Sequence, residues 1–233
     1  GLPTPPYETL DTLVLNGTMA AWCDTENLVK YFFSNLKELH LCDNFISTIS
    51  HNTKDEESWK SIEYIDLMNN NITDWREIKK LAHLKTLRKI NLRKNSIPSI
   101  DFPEEGEFQS LKSISLEETL IRSWSDFDAL NKFPSLCDLR MQGSPLEDEN
   151  GRATTRMFAV ARIAKLNQMN GSAVNVKERA DSEKYYLRYC ADEKMKAIVE
   201  GAFDEVAFTQ KHPRYVELTE IHGNFEETFH FEE

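Results

Sequence analysis

LKELHLCDN at Leu36–Asn44, IEYIDLMNN at Ile62–Asn70 and LRKINLRKN at Leu87–Asn95 are three copies of one frame, L-x-x-L-x-L-x-x-N with aliphatic swaps. Working outward, LDTLVLNGT opens at Leu10, LKSISLEET at Leu111 and LCDLRMQGS at Leu136. Six frames therefore start at 10, 36, 62, 87, 111 and 136, separated by 26, 26, 25, 24 and 25 residues. A period of roughly 20–29 residues with a short strand-like core is that of leucine-rich repeats. The fold class expected is α/β: a leucine-rich-repeat solenoid with a parallel β-strand face and a helical or irregular convex side, closed by a C-terminal α-helical cap.

Side chains alternate along a strand, so the fourth and sixth frame positions, such as Leu39 and Leu41, point inward and stack. Asn44, Asn70 and Asn95 at the ninth position suit a turn inside the solenoid, where a carboxamide can bond free backbone groups; Thr18, Thr119 and Ser144 take that place elsewhere. The stretch Trp75–Leu84 carries apolar residues at helical spacing. Trp22, Trp75 and Trp124 recur at one point in alternate repeats, which reads as a core anchor between the strand and helix layers.

A solenoid must cover its last repeat. Met157, Val160, Ala161 and Ala164 form one stripe of a helix expected over 152–170, with Gly171 as its stop. A second helix is expected from about Val176 to Lys196, with Tyr185, Tyr186 and Tyr189 in packing roles, and His212–Tyr215 reads as a turn. The division is 1–151 repeats, 152–216 helical cap and 217–233 acidic tail or linker. Six glutamates and no Lys or Arg lie in that tail, which is expected to be loosely held beyond Gly223. With no initiator Met and a frame beginning at Leu10, the sequence is expected to be an excised piece.

The formal charge of -11 argues against nucleic acid, whose binding draws on clustered Lys and Arg. No apolar run approaches the roughly 18 residues that span a bilayer. Cys23, Cys42, Cys137 and Cys190 form no CxxC pair, which suggests a reducing, cytosolic setting and neither zinc site nor disulfide framework. The six histidines have no metal-ligating spacing, and the GxSxG, GxxxxGK[ST] and GxGxxG motifs are missing. Glu104–Glu107 reads as a solvated loop. The expectation is a monomeric binding module, not an enzyme, with no cofactor or metal.

The third, fifth and seventh frame positions face away from the core and line the concave surface. From it and its rim, the candidate partner-binding residues are Glu38, His40, Tyr64, Asp66, Met68, Arg88, Lys89, Asn91, Arg93, Lys94, Glu117 and Arg140. Between 76 and 94, Arg76, Lys79, Lys80, Lys85, Arg88, Lys89, Arg93 and Lys94 are opposed in that window only by Glu77. This basic stretch reads either as a solvated helix face or as a patch steering an acidic protein surface into register.

LKSISLEETLIRSWSDFDALNKFPSLCDLRMQGSPL (111–146), YIDLMNNNITDWREIKKL (64–81) and ARIAKLNQMNGSAVNVKERADSEKYYLRYC (161–190) resemble the last repeats and capping segment of the tubulin-folding cofactor E family. The Asn-Gly-Ser and Asp-Ser-Glu elements lean toward its cofactor E-like branch, and His-Pro-Arg-Tyr at 212–215 toward cofactor E itself. The resemblance implies a cytoplasmic, cytoskeleton-associated protein acting on tubulin, with α-tubulin as the contact, in folding, dissociation or turnover of the α/β dimer. The alternative is a generic intracellular leucine-rich-repeat scaffold for a ribonucleoprotein or signalling complex.

Overall fold

Apolar side chains spaced one repeat apart leave water only by stacking on their counterparts, and the computed structural model, which describes residues 7, 9–50 and 57–225, shows that stack. Six three-residue strands, β1 (Thr12–Val14), β2 (Glu38–His40), β3 (Tyr64–Asp66), β4 (Lys89–Asn91), β5 (Ser113–Ser115) and β6 (Asp138–Arg140), run parallel in chain order. Leu39, Ile65, Ile90, Ile114 and Leu139 stand in register, and they are as fully buried as Leu41, Leu67, Leu92, Leu116 and Met141 two positions on. At about 1.5–3 kcal/mol per buried aliphatic side chain, these two columns are the main source of stability.

A chain that turns after only three strand residues strands backbone groups inside, and the ninth-position side chains satisfy them. Asn70 Oδ1 accepts from Asn44 N (3.1 Å) and Ile46 N (2.9 Å), while its Nδ2 donates to Leu41 O (2.9 Å) and Leu67 O (3.0 Å). Asn44 repeats this toward Thr18 N, Ala20 N and Leu15 O, and Asn95 toward Ile72 N and Leu67 O. Thr119 donates only to Leu116 O of its own rung, consistent with its shorter side chain. The preceding residue must turn sharply to aim this side chain inward. Asp43, Asn69, Lys94 and Glu118 all adopt left-handed φ, between 53° and 60°.

The tryptophans mark where the convex side becomes helical: Trp22 opens α1 (Trp22–Phe32), Trp75 opens α2 (Trp75–Lys79), and Trp124 caps α3 (Ser125–Asn131). Trp22 and Trp75 are buried, and Trp22 stacks at 5.7 Å on Trp59, which stands three residues before its frame as Phe33, Leu84, Phe108 and Phe133 do before theirs. Trp124 is half-buried and instead reaches Phe158 (4.5 Å), joining the repeat core to the cap. Helical spacing over Trp75–Leu84 produces helix only to Lys79, followed by turns. The loop at Glu104–Glu107 is not wholly solvated: Glu107 is buried, accepts from Glu104 N (2.8 Å) and lies 3.6 Å from Lys79 Nζ.

After α4 (Pro145–Asn150), the helix expected over 152–170 is shorter: α5 spans Arg152–Arg162. The chain then forms a seventh rung. Asn167 N and Gln168 N both donate to Cys137 O, as Cys137 N and Asp138 N both donate to Lys112 O one rung earlier. β7 (Gln168–Met169) thereby joins β6 in parallel, with Leu166 and Met169 buried as in the frames before. Ala164 is exposed and off the helix, so only Val160 and Ala161 of the expected stripe are fully buried. Gly171 stops no helix; with Asn170 it forms the two-residue, positive-φ turn of a hairpin to β8 (Ser172–Ala173), which pairs antiparallel and ends the sheet.

The cap proper is α6 (Val176–Val199) packed on α5, with α8 (Tyr215–His222) on α6 and Phe208 of α7 (Glu205–Lys211) in the same apolar cluster. Neither α7 nor α8 is among the expected elements, although Asp204 caps α7 by accepting from Val206 N and Ala207 N, and the boundary set at 216 falls inside α8. The tail expectation for 226–233 lies outside the described residues. Arginines cover the carbonyls that α5 leaves unpaired at its C-terminus, where a cation also meets the negative end of the helix dipole. Arg179 Nη1 donates to Val160 O (2.9 Å) and Arg214 Nη1 to Ala161 O. Arg162, itself buried, pairs with buried Asp128 of α3 at 2.6 Å and donates to Lys211 O (3.2 Å). Burial pushes the Asp128 carboxyl up and the Arg162 charge pulls it part of the way back.

The turn read at 212–215 is present, and His212 in it is buried. Its Nδ1 faces Tyr186 Oη (2.9 Å), Cys190 Sγ (3.3 Å) and Arg162 Nη2 (3.5 Å). Three donors converging on one ring nitrogen fit a neutral imidazole. Burial and the Arg162 charge hold its pKa down, at about 4 instead of 6.5, although Glu193 lies 3.4 Å from Nε2. Tyr186 is fully buried, whereas Tyr185 and Tyr189 pack edge-on against Phe158 with one side in water.

Asn70→Ala is expected to cost about 2–4 kcal/mol in urea unfolding, since it orphans groups on two rungs, and Thr119→Ala about 1 kcal/mol or less. Because the unfolded His212 takes up its proton first, its contribution is complete above pH 6.5 and lost as pH falls toward 4. Urea midpoints of His212→Asn should therefore depend less steeply on pH across that window than those of the parent chain.

Candidate partner-binding face

Strand alternation leaves the third and fifth frame positions of every strand on the open side of the sheet, and the register lines them up as columns. Glu38, Tyr64 and Lys89 are consecutive in one column; His40, Asp66 and Asn91 are consecutive in the next, with Arg140 two rungs further along. Met68, Arg93 and Glu117 continue at the seventh position, where Asn69 N donates to Arg93 O and Lys94 N to Glu117 O. Eleven of the twelve candidates thus form one contiguous area, with Arg88 and Lys94 on its margins. Arg140 stands apart, beyond Ser115.

Asp66 is only 8% exposed, so it is an organiser of this area and not a contact within it. Its Oδ2 accepts from Tyr64 Oη (2.7 Å) and its Oδ1 from Met68 N (3.0 Å), while His40 Nδ1 lies 3.9 Å away. The His40 ring meets Tyr64 edge-on at 5.3 Å, and Lys89 Nζ sits 4.7 Å from the Tyr64 ring centre, within cation–π range. His40 Nε2 is 3.4 Å from Glu38 Oε2. One aromatic ring is therefore fixed on three sides by a carboxylate, an imidazole and an ammonium, which lowers the entropy lost when a partner packs on it.

The same surroundings quiet the acid–base chemistry. Burial and the neighbouring Asp66 push the Cys42 thiol up to about 12 and hold the Tyr64 phenol well above its ordinary value. Both remain protonated near neutral pH, so Tyr64 is a hydrogen-bond donor and Cys42 a poor nucleophile.

The basic stretch at 76–94 is not one patch. Arg76, Lys79 and Lys80 lie on α2 and its end, whereas Lys89 and Arg93 lie on the strand side. Nor is Glu77 the sole counter-charge, because carboxylates arrive from neighbouring repeats: Lys79 meets Glu104 (2.7 Å), Arg88 meets Glu63 (3.7 Å), and Arg93 and Lys94 share Glu118 (2.5 and 3.9 Å). Arg76 pairs with Asp74 and Lys80 with Glu77. Arg93 holds the Glu118 carboxyl below its usual range. Apart from Asp74 and Glu77, these partners lie outside the window because they sit about one repeat away. Arg140 has no carboxylate partner among the described residues.

No family model matches the chain. It is 32% identical to tubulin-folding cofactor E of Arabidopsis thaliana, over 94% of the chain and 42% of that protein. Identity to the human tubulin-specific chaperone cofactor E-like protein is 33%, over 92% and 47%, and to bovine tubulin-specific chaperone E 31%, over 95% and 43%. The chain spans less than half the length of these relatives. Among solved structures, a chain of the Drosophila melanogaster SNF/U2A' complex superposes with a TM-score of 0.51 at 20% identity, over 60% of this chain and 76% of that one, a likeness of fold alone.

With a neutral alkylating reagent at mildly alkaline pH, mass spectrometry should find exposed Cys23 modified well before Cys42 or Cys190, both buried and both pushed up to about 12. Equal rates at Cys23 and Cys42 would contradict the geometry around Asp66.

Proposed function

The chain belongs to the tubulin-folding cofactor E family, and on that premise we propose that its repeat face recognises tubulin for a cytoplasmic cofactor of dimer folding, dissociation or turnover. The observation that carries this reading is the identity of 31–33% spread over more than nine-tenths of the chain, cap included, to proteins named for tubulin. In this proposal the repeats supply the contact surface and the cap, through α8, its structural support. The monomer is the working unit and α-tubulin the subunit touched. The role is binding, not catalysis.

Physically, the area around Tyr64 suits a non-obligate protein contact. Aromatic and basic side chains carry most of the energy in such interfaces, and polar groups surround them. Because most cations between 76 and 94 are already neutralised within the chain, long-range steering is weak and salt should affect affinity only modestly.

Anisotropy titration of labelled α/β-tubulin with the chain, at low and moderate salt and with RNA as competitor, tests this. Binding is expected to survive moderate salt and ignore RNA. Tyr64→Ala should weaken it about tenfold or more, while Tyr64→Phe, which keeps the ring over Lys89, should cost less. Displacement of tubulin by RNA would favour the ribonucleoprotein scaffold instead. Full affinity in Tyr64→Ala would remove this face from recognition.

A further inference from the structure

The first repeat does not finish the stack as the last one does. At the C-terminal end a seventh rung, a hairpin and the helical cap follow the repeats. At the other end β1 is the edge of the sheet and, among the described residues, pairs with β2 alone. Asp11 O, Leu15 N and Gly17 N bond toward β2, so the alternate residues Thr12 and Val14 turn their N–H and C=O groups outward, where the described chain provides no strand.

The side chains carry the same mark. The first frame position is buried at Leu36, Ile62, Leu87, Leu111 and Leu136, yet Leu10 is 44% exposed. Leu13 and Leu15 belong to the two columns that are fully buried on the following rungs, and here they are half-buried. Val14 is 59% exposed. A terminal repeat of a solenoid ordinarily turns a polar face to water. This one presents three leucines beside the free edge of a strand.

A third feature lies on the convex side. Glu77 and Asp126 each stand two residues after a tryptophan, and each accepts a backbone N–H from the repeat before, Ile49 N to Glu77 Oε2 at 2.6 Å and Ile100 N to Asp126 Oδ1 at 2.7 Å. Asp24 stands two residues after Trp22 in the first repeat, where no earlier repeat lies among the described residues. The carboxylate that clasps a preceding turn in two later repeats has no such turn to clasp here.

These groups specify what fits them. Backbone donors and acceptors at strand spacing are matched by another extended strand, and half-buried leucines along one side of it require apolar side chains at alternate positions. The edge also continues the face already described. Thr12 heads the column of Glu38, Tyr64 and Lys89, and Val14 heads that of His40, Asp66 and Asn91. Two strand spacings, about 10 Å, separate β1 from Tyr64, so one partner can reach both.

We propose that the partner bound on the Tyr64 face adds an extended segment to β1 as a further strand. The segment pairs with Thr12 and Val14, covers Leu13 and Leu15 with apolar side chains at alternate positions, and offers a backbone N–H to Asp24. The inference rests on the reading of that face as a tubulin contact, and the occupant is a segment of that same partner.

Hydrogen exchange of the whole chain, resolved by residue in mass spectrometry with and without α/β-tubulin, tests this without a mutation. In the chain alone the amides of Thr12 and Val14 should exchange fast, and that of Leu15, bonded to His40 O at 2.9 Å, slowly. Tubulin should slow Thr12 and Val14 by about tenfold or more. Val14→Pro removes an outward N–H and leaves the bonds to β2 in place, so it should weaken binding in the anisotropy titration about fivefold. Val14→Thr, which keeps the N–H and the branching, should bind within about twofold of the parent. Tubulin that needs Tyr64 but leaves Thr12 and Val14 exchanging fast, or that binds Val14→Pro as tightly as the parent, overturns the proposal while the face stands. Absence of tubulin binding removes both. Slow exchange at Val14 in the chain alone also overturns it, because the edge is then covered by this chain itself or by a second copy.

Discussion

A carboxamide offers an acceptor and two donors in one rigid plane, and three asparagines spend all of these on backbone that the repeat would otherwise bury unpaired. Because each reaches back to the rung before, it sets spacing and register at the same time. Where asparagine holds the ninth position, the turns after the three-residue strands are pinned in this way. Where Thr119 stands in, the bond closes within a single rung and the stack relies on its aliphatic columns.

The ends of such a stack need different chemistry. At the C-terminal end a seventh rung, Leu166–Met169, extends the sheet, and a short antiparallel hairpin finishes it. Beyond that, arginines replace water at the exposed end of α5. Arg162 ties α3 of the repeats to the turn before α8 through Asp128 and the Lys211 carbonyl. Charged groups this deeply buried are tolerated because each has a partner, and removing one would leave the other stranded at high cost. His212 fits among them only as a neutral ring.

The surface derives from the same scaffold. Strand pairing puts Glu38, Tyr64 and Lys89 side by side, and a buried carboxylate one column over locks the central ring. The ladder that stabilises the interior also fixes the backbone on either side of the exposed Met19 and Phe45.

The repeat period, the inward columns, the ladder asparagines, the open-face residues and the long helix starting at Val176 were all legible in the sequence, because each depends on residues within about one repeat. The seventh rung escaped notice, since Leu166 and Met169 keep the first and fourth positions while Gly171 breaks the sixth. The early end of α5, the helix α8, the burial of Asp66 and Glu107, and the pairing of Lys79, Arg88, Arg93 and Lys94 were decided by tertiary structure. For several of these the deciding partner lies about a repeat away: Cys137 O draws Gln168 into the sheet, and Glu104 and Glu118 reach Lys79 and Arg93. Local pattern determines which way a side chain points; only packing of distant segments determines what it meets, because desolvation and Coulomb attraction act through space and not along the chain.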